Sequence, residues 1–301
     1  MSDRVKDYLR ELAAELAGAD AALVQDALAD AEDHLRTALE TTRRSAPDTG
    51  EDEALQQVID AYGTPAEIAA AYRDFETRTS PPRPLPAPRG DGGGSSIGRF
   101  VHVLVDPGAY AALFYISFSL ITGIIYFSWT TVGISLSAGL IVLIIGLPFF
   151  GLFLLSVQGM ALVEGRLVEA LLGVRMPRRP VFPGVRKGVW HRFTSLVRDP
   201  RTWSTILYMM VQLPLGVIYF TVFTVMIAFG LAGIATPVLE LGFGIPLCQF
   251  NDYAFHVPVV LMPLVVLVGA IWILLVMHLA KWLGRVHGKY AKALLVRRGP
   301  A

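Results

Sequence analysis

Residues 108–163 read GAYAALFYISFSLITGIIYFSWTTVGISLSAGLIVLIIGLPFFGLFLLSVQGMALV, without one Asp, Glu, Lys or Arg. A helix needs about 20 largely apolar residues to cross a bilayer, and within lipid the backbone must satisfy its own hydrogen bonds. The run is long enough for two successive spans. A second run, 202–280, is broken only by Glu240 and Asp252. Spans are expected at about 109–131, 139–163, 203–233 and 257–280, the first two joined by a tight hairpin at 132–137.

Part of this stretch occurs twice. Arg99-Phe100, Asp106-Pro107, Tyr115, Leu120, Gly123, Ile125-Tyr126-Phe127 and Thr131 return 93 residues later as Arg192-Phe193, Asp199-Pro200, Tyr208, Leu213, Gly216, Ile218-Tyr219-Phe220 and Thr224. Eleven identities in 33 positions exceed what apolar composition gives and point to a tandem duplication. The second spans correspond at an offset of 123, as in Gly146/Gly269, Val163/Val286 and Gly165/Gly288. The change of offset places a 30-residue insertion in the second copy, from Thr236 to about Met262. Two spans per copy make the copies parallel, with repeats at about 97–175 and 190–298. Matched glycines, Gly123/Gly216 and Gly146/Gly269, predict close helix approach where the copies meet.

The front of the chain is different in kind. Residues 1–78 hold 8 Lys/Arg against 18 Asp/Glu, a net charge of −10, whereas the remainder carries +11. Val5, Tyr8, Leu9, Leu12 and Leu16 recur at helical spacing, and a second helix is expected from a cap at Asp20 to about Arg44. A third helix, 51–62, should stop at Gly63. Thr64-Pro65-Ala66-Glu67 then offers a capping residue, a first-turn proline and a capping-box glutamate for a fourth helix with Ile68, Ala69, Tyr72 and Phe75 inward.

Tyr8-Leu9, Leu12, Asp33-His34-Leu35, Glu51–Ala54 and Tyr62-Gly63-Thr64-Pro65-Ala66-Glu67-Ile68-Ala69 together resemble the HAAS-type signalling domain. The resemblance implies a small all-α cytoplasmic module of bacterial membrane proteins, often accompanied by PadR-like regulators. Its role would be protein binding or signal relay, with no catalytic residues to carry over. His34 reads as a surface or capping histidine. The acidity of the domain excludes direct nucleic-acid binding, which needs clustered Lys and Arg, and favours a basic partner surface.

Residues 79–96, with Pro81-Pro82, Pro84, Pro86 and Pro88 before Gly92-Gly93-Gly94-Ser95-Ser96, read as a linker, stiff and then loose. Beyond it, Arg99 with Phe100, and Trp190 with Arg192 and Phe193, lie in short amphipathic segments expected to anchor in the headgroup region. Asp106-Pro107 and Asp199-Pro200 then start each first span with a capping Asp and a first-turn Pro. Basic residues cluster between spans two and three and after span four, whereas 235–256 has none. This bias predicts a multi-pass protein of the cell membrane, with both termini cytoplasmic and the insertion outside.

The membrane half carries a resemblance of its own. The Asp-Pro starts, Leu213–Phe220 (LPLGVIYF), Leu147-Pro148 and the Arg-Leu-x-x-Ala-Leu-Leu-Gly-Val segment from Arg166 to Val174 resemble the sensor domain found ahead of many actinobacterial histidine kinases. The chain ends at Ala301, so no kinase part follows within it and a sensed signal must be reported through another protein.

No paired carboxylates, HExxH, GxSxG, CxxC or P-loop is present, so neither an enzyme nor a cofactor or metal site is expected. Cys248 reads as a small apolar residue. Strongly polar groups at membrane depth are functional candidates by their cost; here they are Gln158, Gln212 and His278, with Glu164 expected near the cytoplasmic headgroups. Tyr126 and Tyr219 read as aromatic-belt residues. In the outer insertion, Glu240, Phe243, Phe250, Asn251, Asp252 and Tyr253 form a candidate recognition loop, or else a lid over the helix ends.

The expected architecture is all-α: a cytoplasmic four-helix domain (1–78), the linker, and a four-span membrane domain (97–301) built from two tandem two-span repeats with interfacial amphipathic helices. The expected function is a non-enzymatic membrane sensor or regulatory adaptor. It would contact lipid and relay a signal through residues 1–78 to a PadR-like regulator, a kinase or a transporter subunit. The alternative is a transport or lipid-handling accessory, for example of an ABC-type exporter.

Overall fold

A computed structural model describes residues 3–45, 50–79, 96–140, 146–177, 189–246, 248–250 and 253–296. The linker expectation falls almost wholly on 80–95, outside the described residues. The chain forms two compact units, one of residues 1–91, 175–201 and 294–301, the other of 92–174 and 202–293.

The first unit contains α1 (Asp3–Glu15), α2 (Ala21–Ser45), α3 (Glu51–Tyr62) and α4 (Pro65–Thr79). The three-to-four spacing of α1 puts Val5, Tyr8, Leu12 and Leu16 into one core with Ala27, Ala31, Leu35, Leu55, Val58 and Ala69. Local chemistry sets the helix ends. Asp20 Oδ1 accepts the Ala22 N–H at 2.8 Å. Gly63 ends α3 with φ of 109°, a region closed to most side chains, and its N–H bonds Ile59 O at 3.0 Å. The capping box then closes, with Thr64 N–H to Glu67 Oε2 at 2.9 Å and Glu67 N–H to Thr64 Oγ1 at 3.3 Å.

Two tyrosines tie these helices together by their hydroxyls: Tyr8 donates to Gly63 O and Tyr72 to Asp30 Oδ2. His34 is exposed and stacks on Tyr62 at 4.5 Å. One expected core residue turns outward: Phe75 is 54% exposed, because it lies beyond the last turn of α4 that packs on the core. The same unit includes α8 (Val189–Arg198) and an ion pair of Arg175 with Glu76 at 2.5 Å.

The second unit is dominated by α6 (Pro107–Leu140), α7 (Gly146–Leu172), α9 (Pro200–Pro237, within the unit from Thr202) and α10 (Met262–Leu295). These four helices are long and apolar enough to cross a membrane. A 34-residue helix such as α6 is about 51 Å long, well beyond the hydrocarbon thickness of about 30 Å. The four expected spans each fall on one of these helices, and the hairpin expected at 132–137 is corrected: this segment is helical. Nothing there breaks a helix; Ser137 Oγ bonds back to Gly133 O, and Gly133 lies under the ring of Phe153.

Contacts Gly133 to Phe153, Trp129 Nε1 to Ser156 Oγ and Tyr126 to Glu164 make α6 and α7 antiparallel neighbours. Gly230 against Ile273, Gly233 against Gly269 and Trp272 Nε1 to Met226 O do the same for α9 and α10. Gly269 thus serves packing between α9 and α10, and not the contact between copies expected of it.

Helices α6 and α9 touch backbone to backbone. A Cβ added to Gly123 would lie 2.8 Å from Gln212 O, and one added to Gly216 would lie 2.5 Å from Ser119 O. The two contacts are reciprocal, since 119 and 212, like 123 and 216, are 93 apart. Asp106 Oδ1 accepts the Gly108 N–H at 2.9 Å and Asp199 Oδ1 the Arg201 N–H at 3.0 Å, the expected caps. Asp106 also pairs with Lys281.

Helix α5 (Ser96–Val101) leads through a 3-10 turn (His102–Leu104) into α6. Between α9 and α10 the chain forms a π-turn (Val238–Gly242) and a short antiparallel hairpin, β1 (Cys248–Phe250) with β2 (Tyr253–Phe255). This hairpin is a small addition to an otherwise helical protein. Its strands carry β-favouring Phe and Tyr around the Asn251-Asp252 turn sequence.

Candidate functional site

The polar centre of the four long helices is a carboxylate and an imidazole held by tyrosines. Glu164, on α7, is 0% exposed, and His287, on α10, is 1% exposed. Burying a carboxyl group in apolar surroundings is costly unless hydrogen bonds replace its water. Here three phenols do so. Tyr115 and Tyr208 donate to Glu164 Oε1 at 2.5 and 2.6 Å, and Tyr126 donates to Oε2 at 2.9 Å. Such O–H to carboxylate bonds are among the stronger protein hydrogen bonds.

His287 sits on the other side of the same two phenols. Its Nε2 lies 2.9 Å from the Tyr115 oxygen and 3.2 Å from that of Tyr208, and its Nδ1 lies 3.5 Å from the Tyr219 oxygen. With both phenol hydrogens committed to Glu164, the phenol oxygens accept, so Nε2 must carry a hydrogen. All four long helices contribute: α6 gives Tyr115 and Tyr126, α7 Glu164, α9 Tyr208 and Tyr219, and α10 His287. Moving any one of them relative to the others strains this network.

The positions follow the internal offsets. Tyr115 and Tyr208, which bridge the centre, are 93 apart, as are Tyr126 and Tyr219. Glu164 and His287 are 123 apart. The partners therefore correspond: Tyr126 with Glu164, Tyr219 with His287. The expectation that Tyr126 and Tyr219 form an aromatic belt is corrected, since their hydroxyls turn inward to polar partners. Glu164 likewise is fully buried among these helices. His287 went unnoticed in the sequence, although the pairs Val163/Val286 and Gly165/Gly288 bracket it and Glu164.

The other candidates are dispersed. Gln212 is fully buried on α9, one turn from Tyr208, and neither of its side-chain polar atoms has a hydrogen-bond partner among the described residues. Gln158 is half-buried on α7. His278 is half-buried, with Nδ1 at 2.9 Å from Leu274 O and its ring stacked on Phe100 at 4.7 Å. Phe100 thereby packs on α10, next to Val103, Ala109, Leu274 and Met277. Phe193 is half-buried on α8. The side chains of Arg99, Trp190 and Arg192 lie outside the described residues.

In the segment between α9 and α10, Glu240 accepts the Val257 N–H with both oxygens, at 2.9 and 3.1 Å, clasping the two ends of the loop. Phe243 is 72% exposed. Phe250 and Tyr253 are paired across the hairpin, while Asn251 and Asp252 fall outside the described residues. Among the described residues no three His, Cys, Asp or Glu side chains converge on one point.

Four helices long and apolar enough to cross a membrane, joined at a buried polar centre, follow a small separate helical domain. Residues 115–295 match the family model described as "Putative sensor", and the chain belongs to that family. The match begins at Tyr115 and includes every residue of the polar centre. Residues 7–71 match HAAS. No curated protein and no solved structure matches the chain.

Proposed function

We propose that this protein is a non-enzymatic membrane sensor that relays a membrane or extracytoplasmic signal to a cytoplasmic protein through residues 1–78. The observation that carries the reading is the presence of both matches, sensor and HAAS, in one chain. The polar centre supports it physically. A network that draws on all four long helices couples their positions, and a signal must act through such a shared two-state element.

In this reading the four helices are two tandem two-span repeats, about 97–175 and 190–298, related by an axis along the membrane normal. The supports are the eleven identities, the reciprocal contacts of Gly123 and Gly216, and the matched placement of Glu164 and His287. Both termini are cytoplasmic by the distribution of basic residues. The partner presents a basic surface to the acidic helical domain, which itself does not bind nucleic acid.

The test is capture from lysate by the full chain in lipid nanodiscs, against a chain lacking residues 1–78. The expected result is one cytoplasmic regulator, kinase or transporter subunit, crosslinked by the full chain and lost with the truncation. Identical capture by both chains sinks the relay.

A further inference from the structure

We propose that the polar centre is a proton-binding site, in which one proton is shared between Glu164 and His287 through Tyr115 and Tyr208, and that this proton is what the membrane half senses. The inference rests on the sensor reading and specifies its ligand.

The argument starts from the inventory of hydrogens. Tyr115 and Tyr208 each spend their one hydroxyl hydrogen on Glu164 Oε1, and each oxygen faces His287 Nε2. Two bridges therefore run from imidazole to carboxylate, each one phenol long. With Nε2 protonated and Nδ1 bare, Nδ1 accepts from Tyr219, and the group carries the net charge of one carboxylate. Adding a proton at Nδ1 makes the ring an imidazolium that donates to the Tyr219 oxygen, and the net charge becomes zero.

The added proton does not have to stay on the ring. The Nε2 hydrogen passes to a tyrosine oxygen while that tyrosine's own hydrogen passes to Oε1. Carboxylate plus imidazolium become carboxylic acid plus neutral imidazole, with no atom or charge lost and each tyrosine restored.

The surroundings make the proton count matter. No Lys or Arg pairs with Glu164 among the described residues. The titratable groups that face the site are Tyr115 and Tyr126 from α6, Tyr208 and Tyr219 from α9, and Tyr290 from α10, whose ring packs 5.6 Å from His287 and 5.4 Å from Tyr208. A negative charge held within apolar helices by three phenol hydrogens and by no cation among the described residues still costs solvation, and one proton removes it. The change is felt by every helix at once, because each supplies a member of the network. A charged and a neutral centre thus favour different strengths of the Tyr126 and Tyr208 bonds, which link α6 to α7 and α9 to α7.

The experiment is infrared difference spectroscopy on the full chain in nanodiscs, taken from about pH 9 to about pH 5. On acidification the wild type should gain the carbonyl stretch of a protonated carboxylic acid, and Glu164→Gln should lack it. Tyr126→Phe removes a donor to the ionised form, so the midpoint should rise toward higher pH by about tenfold in proton concentration. His287→Gln should move the midpoint by a similar factor. No acid band in the wild type, or a band that persists in Glu164→Gln, overturns the site. An unmoved midpoint in His287→Gln overturns the sharing. Should Glu164→Gln not fold, the other two variants, which keep the carboxyl, decide. Failure here is separable from failure of the relay: an intact acid band with no captured partner removes only the relay, and a captured partner without the band removes only the proton site.

Discussion

The helical domain of residues 3–79 and the four long helices are built on the same 3.6-residue period and dressed in opposite ways. In the first, Leu12, Leu16, Leu23 and Leu35 are fully buried, and of the charged residues whose burial is described only Asp26 is buried with them. In the second, Phe229 is 74% and Leu152 66% exposed, while Glu164, His287, Tyr115 and Tyr208 occupy the interior. Apolar burial drives the first in water. Lipid offers no such drive between helices, so the second relies on glycine contacts and interior hydrogen bonds. The periodicity of a helix says which residues share a face; the solvent decides which face goes inside.

This contrast is broken most directly at Glu164. Glu164→Ala strands three phenols and an imidazole in the interior and is expected to cost about 3–5 kcal/mol, read as loss of the folded fraction by denaturant titration of the full chain in detergent. In the helical domain the largest effect should come from an apolar deletion instead. Leu12→Ala opens a cavity worth about 2–5 kcal/mol, measured by hydrogen exchange confined to α1–α4. An apolar deletion on the lipid-facing side of α9, such as Phe229→Ala, should leave exchange in the four long helices unchanged, and a loss comparable to that of Leu12→Ala would abolish the distinction.

A smaller effect tests the helix ends. Thr64→Ala removes the hydroxyl that caps α4 and is expected to cost about 1 kcal/mol, seen as faster exchange at the start of α4 alone. The smallest effect is one of pH. Burial, with the neighbouring charges of Tyr62 and Glu67, pushes the Tyr8 phenol up to about 12. The folded domain thus holds this proton more tightly than the unfolded chain. Its contribution to stability is complete below the ordinary phenol range near about 10 and is lost as pH rises through the folded value. Exchange in α1–α4 should accelerate over that interval, and Tyr8→Phe should flatten the response.

Much of this was legible in the sequence where a local rule acts. Asp20, Thr64 with Glu67, Asp106 and Asp199 all cap as their neighbours dictate, because a cap needs only a few adjacent residues. The four apolar helices were legible because length and hydropathy suffice. The polar centre was not. Tyr115 and Tyr126 lie in a charge-free run where aromatic residues read as interface anchors, and that run stops at Val163, one residue before Glu164. His287 sits in a basic segment that resembles a cytoplasmic exit. What makes these residues a site is their convergence from four helices, and only the identities at offsets of 93 and 123 hinted at it. The hairpin expected at 132–137 failed for a related reason: it only divided a charge-free run into two spans, whereas the segment packs as helix, with the ring of Phe153 seated on Gly133.

The crossing of α6 and α9 has a mechanical consequence. With backbone against backbone at residues 119–123 and 212–216, the two helices cannot slide past one another without lifting apart, yet they remain free to scissor. Tyr115 and Tyr208 stand eight residues from Gly123 and Gly216, a lever arm of about 12 Å. A rotation of about 5° about this fulcrum changes the spacing at the tyrosines by about 1 Å, enough to turn a short hydrogen bond into none.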